Sequence, residues 1–269
     1  MKDILNEKFP FAEDILKGYN ALVCGASKGI GKATAQMLAR AGANVIACAR
    51  NESELQKLIE NMSGNNHKIL VLDLEKIESI KESLSKLIGE IGDIQILVNN
   101  SGGPPGGPLL ENDIADFEGP IKRHLYASHT ITQMLVPGME RSNMGRIINI
   151  ISTSVREPID NIGLSNTLRG AMGSWSKSLS RELPPCITIN NILPGFTDTD
   201  RLGSLSESIS KKTGKSTEEV RDTWMKGVPI QRLVNPLETA TAVTWLSLPT
   251  SGSIRGISLP VDGGRMRSI

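Results

Sequence analysis

Tyrosine occurs only twice in the 269-residue chain, at Tyr19 and Tyr126, so any chemistry that rests on a phenol must draw on one of these two. Cysteine is almost as scarce. Cys24, Cys48 and Cys186 are odd in number, far apart and set in apolar segments, which predicts reduced structural thiols rather than a disulfide framework. An excess of one charge is missing too: 30 Lys and Arg stand against 29 Asp and Glu. No net field therefore draws the chain to nucleic acid or to a membrane surface, and an acidic ligand must be held locally. Nowhere do about 18 apolar residues follow one another. Residues 1–19 carry Asp3, Glu7, Glu13 and Asp14 without a sustained apolar stretch, which argues against a secretory signal. A soluble, cytoplasmic protein is expected, and no metal ligand is assigned.

What the chain does have begins at Asn20. A short apolar run to Cys24 leads into Gly25-Ala-Ser27-Lys28-Gly29-Ile30-Gly31, and the following residues place Ile30, Ala33, Met37 and Leu38 on one helical face. Glycines at these positions let the backbone turn sharply and come close to a pyrophosphate, while the helix N-terminus offers unpaired N–H groups and the positive end of its dipole. A strand before and a helix after are the context such a loop requires, so the expected ligand is a dinucleotide.

Apolar runs alternate with helical patterns along the rest of the chain. Strands are expected at 21–24, 44–49, 68–72, 94–98, 146–151, 187–192 and 257–260, with helices near 29–41, 52–62, 76–89, 113–136, 164–183 and 236–248. This pattern predicts an α/β fold, a Rossmann-type doubly wound parallel sheet of about seven strands with helices on both faces. Residues 1–269 read as a single domain, since no repeat or low-complexity linker interrupts the series. The one Gly/Pro cluster, Gly102 to Pro108, follows a strand and reads as a pocket wall. Ligands of such sheets sit beyond the carboxyl ends of the strands. Those positions hold Gly25 to Gly31, Arg50, Asp73, Asn99 with Asn100, Ser152 with Thr153, and Pro194-Gly195.

With these residues in place, the chain resembles the short-chain dehydrogenase/reductase family along almost its whole length. The resemblance is carried by the glycine loop, Asn99-Asn100-Ser101-Gly102, Asn149 and Ser152, Asn190 to Gly195, and Val261-Asp262-Gly263-Gly264. Within that family it looks most like a divergent group similar to β-ketoacyl acyl-carrier-protein (3-oxoacyl-ACP) reductases. The resemblance implies that Asp73 and Leu74 border an adenine, that Asn100 supports the adenosine side, and that Pro194, Gly195 and Thr197 border a nicotinamide. No acid ends the second strand to bind ribose hydroxyls; Arg50 stands there and Lys28 lies in the glycine loop, two cations suited to a 2′-phosphate. NADP(H) is therefore preferred over NAD(H). Cys24 stands where the family usually has threonine.

Members of the family usually reduce a carbonyl with a tyrosine, a lysine four residues later, a serine and an asparagine. Here only the serine, Ser152, is kept. The family's spacing places Ser165 at the tyrosine position and Arg169 at the lysine position; one residue out of register the pair would be Leu164 and Leu168, which continue through Ala171, Trp175 and Leu179 as a core stripe. An alkyl hydroxyl is far less acidic than a phenol, so Ser165 is no simple substitute. Arg169 stays charged and is suited to stabilising an alkoxide or gripping a carboxylate. His124 aligns approximately with the family's helix asparagine and reads either as a proton carrier or as an ordinary packed histidine. Gly119-Pro120 just before it is a place for a kink and a change of register.

Residues 200–226 correspond to the family's substrate lid, and their Lys211-Lys-Thr-Gly-Lys215 run reads as a solvated helix end before a docking site for an acidic carrier or coenzyme A. Two functions are open at this stage. One is an atypical NADP(H)-dependent oxidoreductase acting on a carbonyl/alcohol pair, its substrate small or carrier-linked. The other is a nucleotide-binding or partner-binding protein that kept the fold and lost the reaction. By analogy with the family, a homodimer or homotetramer is expected.

Overall fold

The computed structural model describes residues 9–268, so Asp3 and Glu7 lie outside the described residues. Seven parallel strands form one sheet in the order β3-β2-β1-β4-β5-β6-β7. They are β1 (Asn20–Cys24), β2 (Asn44–Ala49), β3 (Lys68–Val71), β4 (Ile96–Asn99), β5 (Gly145–Ile150), β6 (Ile187–Pro194) and β7 (Ser258–Val261). All seven expected strands are present, with ends shifted by up to two residues. The order reverses between β1 and β4, which opens a crevice at their carboxyl ends.

The sheet is covered on both faces by helices α1 (Gly29–Arg40), α2 (Glu52–Glu60), α3 (Ile77–Ile91), α4 (Ile114–Ile121), α5 (Ala127–Arg141), α6 (Gly163–Glu182), α7 (Asp200–Thr213), α8 (Thr217–Met225) and α9 (Pro236–Ser247). Successive strand side chains point to opposite faces. Thus Ala21 and Val23 of β1, Val45 and Ala47 of β2, and Ile96 and Val98 of β4 join Leu38, Leu55, Leu58, Val243 and Leu246 in one apolar layer. Leu22, Cys24, Ile46, Cys48 and Leu97 join Ile80, Leu84, Ile131, Leu135 and Met139 in the other. Each fully buried leucine or isoleucine contributes about 1.5–3 kcal/mol, so the two layers fix the sheet and its strand ends.

Two regions differ from the sequence expectation. The helix expected near 113–136 is divided: a π-helical turn, Lys122–Tyr126, separates α4 from α5. Pro120 lacks an N–H and disturbs the ladder just before it, and the wider turn resets the face that follows. His124 consequently points inward and is buried, while Tyr126 points out with 48% of its surface exposed. Residues 200–226, for which the sequence predicts a helix end near Lys211 to Lys215 but no helix bounds, fold as α7 and α8. Thr199 and Ser216 cap these helices, their side chains accepting from Leu202 N and Glu219 N. Lys211 and Lys215 are exposed near the carboxyl end of α7, and the side chain of Lys212 lies outside the described set.

A polar ladder crosses the sheet below the site. Asn99 Nδ2 donates to Asn149 Oδ1 at 2.9 Å, Asn149 Nδ2 to Asn191 Oδ1 at 2.9 Å, and Asn191 Nδ2 to Ser258 Oγ at 3.1 Å. These residues are register partners on β4, β5, β6 and β7, so the chain of amides ties four strands together where the cleft begins.

Candidate active site

A cleft of about 1330 Å³ runs across the carboxyl ends of the strands. Gly25, Ser27, Lys28, Gly29 and Ile30 line one end of it, with Arg50, Asp73, Leu74 and Asn100 nearby; Ser152, Ser165, Arg169, Pro194, Gly195 and Thr197 line the remainder. Gly31 lies just beneath, where a side chain would collide with the Gly25 carbonyl and come within 2.7 Å of Asn100 Nδ2. Gly25 itself takes φ +62°, the left-handed region. Asn100 Nδ2 donates to the carbonyls of Cys24 and Gly25 at 3.3 Å each, bracing the glycine turn from the neighbouring strand β4. The turn therefore brings bare backbone to the N-terminus of α1, the arrangement that accommodates a pyrophosphate.

At the end of β2, Arg50 is exposed and makes no ion pair among the described residues. The next residue, Asn51, is occupied in capping α2 through Glu54 N. Lys28 Nζ lies 3.6 Å from Asp200 Oδ2, an exposed pair that links the glycine loop to the start of α7. Asp73 accepts from Glu75 N at 3.1 Å and so shapes its own turn. Gly195 packs closely on Asp262, where a Cβ would come within 2.7 Å of the aspartate Cα, and Thr197 Oγ1 donates to the Gly195 carbonyl at 3.2 Å.

The other half of the cleft is strongly cationic. Arg169 reaches from α6 to the sheet, where Nη1 donates to the Ile150 carbonyl at 2.6 Å and Nη2 to the Ser101 carbonyl at 3.3 Å. Burial, then the nearby Arg201 and Arg123, lower its pKa to about 10. It is still cationic at neutral pH. Ser165, one turn earlier on α6, lies with Arg169 and Arg201 around Gly103. Ser152 Oγ accepts from Ser154 N at 3.0 Å, which caps a short 3₁₀ turn and leaves the hydroxyl proton available to another acceptor.

His124 does not line the cleft. It borders a small cavity behind it, together with Ser101 and Arg169, and its Nδ1 lies 2.7 Å from Ser101 Oγ. Burial first, then Arg169 and Arg123, hold its pKa well below the usual histidine value, so the ring is neutral at pH 7. Neither Tyr19 nor Tyr126 lines the cleft. The Leu164 and Leu168 alternative is buried, in keeping with a core stripe.

Three contributors were not assigned a role from the sequence. Arg123 Nε donates to the Gly102 carbonyl at 3.1 Å and its Nη1 pairs with Glu75; Arg201 donates to the Pro104 carbonyl; Arg265 donates to Thr153 Oγ1 at 3.0 Å and lies over the Phe196 ring. Arg123 adjoins His124 and Arg201 opens the expected lid, but only the fold turns both onto the Gly/Pro loop. Among the described residues no group of three or more His, Cys, Asp or Glu is placed to hold a metal ion, and no helix is long and apolar enough to cross a membrane.

Comparison with known proteins agrees with this geometry. A family described as short chain dehydrogenase matches residues 19–210. The 3-oxoacyl-acyl-carrier-protein reductase FabG of Vibrio cholerae is 34% identical over 252 residues, covering 93% of this chain and 98% of the relative. Among solved structures, YwfH, described as an NADPH-dependent reductase involved in bacilysin biosynthesis, superposes with a TM-score of 0.87 at 27% identity, covering 93% of this chain and 99% of its own. An actinorhodin polyketide ketoreductase variant with NADPH gives 0.88 at 28% identity, covering 96% and 100%. With the glycine turn, the strand order and these matches together, the chain belongs to the short-chain dehydrogenase family.

Proposed function

We propose that the chain is an atypical NADP(H)-dependent oxidoreductase acting on a carbonyl/alcohol pair, with Ser165 and Arg169 in place of the phenol and ammonium usual in its family. The observation that carries the reading is the single cleft joining the braced glycine turn to Ser152, Ser165 and Arg169. The matches to reductases of 3-oxoacyl and polyketide substrates, and the NADPH named for two similar structures, support it.

In this reading Lys28 and Arg50 hold the 2′-phosphate, Asp73 and Leu74 border the adenine, the turn at Gly25 to Gly31 receives the pyrophosphate, and Pro194, Gly195 and Thr197 border the nicotinamide. When bound, the nicotinamide supplies or accepts the hydride. Ser152 donates its free hydroxyl proton to the carbonyl oxygen and so orients it. Arg169 spends two N–H groups on backbone carbonyls and directs its remaining donors at oxygen charge as it develops, an electrostatic role worth a few kcal/mol in a site of this kind. Because the His124 ring is neutral and set behind Ser101, it serves to orient that hydroxyl, and water in the cleft supplies the proton.

A second reading is favoured by one observation, the absence of both tyrosines from the cleft lining. It makes the chain a nucleotide-binding or partner-binding protein without turnover. Titration with NADPH and NADH by fluorescence, followed by a screen of ketones and alcohols for NADPH oxidation or NADP⁺ reduction, separates the two. NADPH binding with turnover supports the first; tight binding with none across the screen supports the second. A homodimer or homotetramer is part of the proposal, and light scattering tests it.

A further inference from the structure

Three guanidinium groups surround the loop that forms one wall of the cleft. Arg169, Arg123 and Arg201 donate respectively to the carbonyls of Ser101, Gly102 and Pro104. Arg123 has an acidic partner, Glu75, whereas Arg169 and Arg201 have none among the described residues. Their Nη2 atoms converge: a Cβ placed on Gly103 would lie 3.9 Å from Arg169 Nη2, 3.7 Å from Arg201 Nη2 and 3.9 Å from Ser165 Oγ. Both arginines and Ser165 line the cleft. Arg201 also lies in the first turn of α7, where the helix dipole disfavours a cation and favours an anion.

Two like charges, the half-buried Arg169 and the more exposed Arg201, held together without an acid among the described residues cost free energy, and a ligand that carries the missing charge recovers it. Resting on the oxidoreductase reading above, we propose that the substrate is a small oxo acid whose carboxylate is clamped between Arg201 and Arg169, with Ser165 as a third donor. Guanidinium forks match a carboxylate or a phosphate in geometry. Position decides between them. Arg169 is bound to the last residue of β5, two residues before Ser152, so the anion sits beside the reacting carbon. The phosphate of a carrier arm lies a full pantetheine length from its thioester carbonyl and does not meet this requirement, whereas the carboxylate of a short oxo acid does. In the reaction the carbonyl carbon would gain a hydride from NADPH and the oxygen a proton from water, so that the hydroxy acid and NADP⁺ result and the hydroxide left behind is neutralised by a proton from bulk solvent. Burial first, and repulsion from Arg201 and Arg123 second, lower the Arg169 pKa, and the bound anion relieves the repulsion.

The test is calorimetric binding to the NADP⁺-loaded protein of 2-oxobutyrate, acetoacetate and 2-oxo-4-phenylbutyrate, each beside its methyl ester, with dihydroxyacetone phosphate as a phosphate arm. Wild type is expected to bind at least one acid tenfold or more above its ester. Arg201→Gln should bring that ratio to within about threefold of unity, and Arg201→Lys should restore part of it, with thermal melting checking that each variant is folded. Equal binding of acids and esters by wild type overturns the proposal, as does an unchanged ratio in Arg201→Gln or tighter binding of the phosphate than of every acid. NADPH oxidation with methyl acetoacetate and acetoacetyl-N-acetylcysteamine is measured separately. Reduction of these neutral compounds with no acid preference leaves the oxidoreductase reading intact and removes this one; acid-selective binding with no turnover of any compound keeps the carboxylate clamp but removes the oxidoreductase reading, and with it the acid's role as substrate.

Discussion

Arg169 Nη1 donates to the Ile150 carbonyl at 2.6 Å, which fixes a helix-borne cation at the carboxyl end of a central strand. The bond sets where the charge sits, and the buried setting keeps water from screening it. Arg169→Ala is expected to lower kcat by about 100-fold while changing the NADPH dissociation constant less than about threefold. Steady-state kinetics and a fluorescence titration check this; equal turnover in the variant would remove the role given to Arg169.

Arg50 is expected to select the phosphorylated cofactor. It is exposed and makes no ion pair among the described residues, so an anion at the end of β2 meets a cation that none of them neutralises. Arg50→Asp should weaken NADPH binding by about tenfold or more and improve NADH binding, because a carboxylate there repels the 2′-phosphate and accepts from ribose hydroxyls. A variant that still prefers NADPH would assign the phosphate to Lys28 or another group.

The ladder through Asn99, Asn149 and Asn191 is expected to carry stability. Asn149→Leu strands a buried amide N–H of Asn99 and the carbonyl oxygen of Asn191, each of which costs about 1–3 kcal/mol when left unpaired. Urea unfolding should show a loss of at least about 2 kcal/mol. A change below 0.5 kcal/mol, roughly the scatter of neutral substitutions, would mean that the ladder is dispensable.

His124 makes the fold sensitive to acid. Its folded pKa is depressed, so between that value and the ordinary one near 6.5 the unfolded chain binds the extra proton and stability rises with pH. The contribution is complete above about pH 6.5 and is lost as pH falls below it, by up to roughly 1.4 kcal/mol per pH unit. His124→Asn should flatten the melting temperature between pH 7 and pH 5 relative to wild type. Parallel curves for the two proteins would show that other groups dominate.

The sequence by itself determined the strands, the glycine turn and the two covered faces, because these follow from local periodicity and from backbone requirements written in adjacent residues. It also placed Ser152, Ser165, Arg50 and the Pro194 turn at strand ends or one helical turn away, and the structure brings all of them to one cleft. What only the tertiary structure decided is the direction in which side chains look. A π turn after Pro120 buries His124 behind Ser101 and sends Tyr126 outward, a register change that no regular period contains. Arg123 and Arg201, 78 positions apart, acquire a shared purpose only when the loop from Ser101 to Pro104 turns its carbonyls between them. Charge clusters of this kind depend on long-range packing, and nothing in the neighbourhood of either arginine along the chain encodes the other.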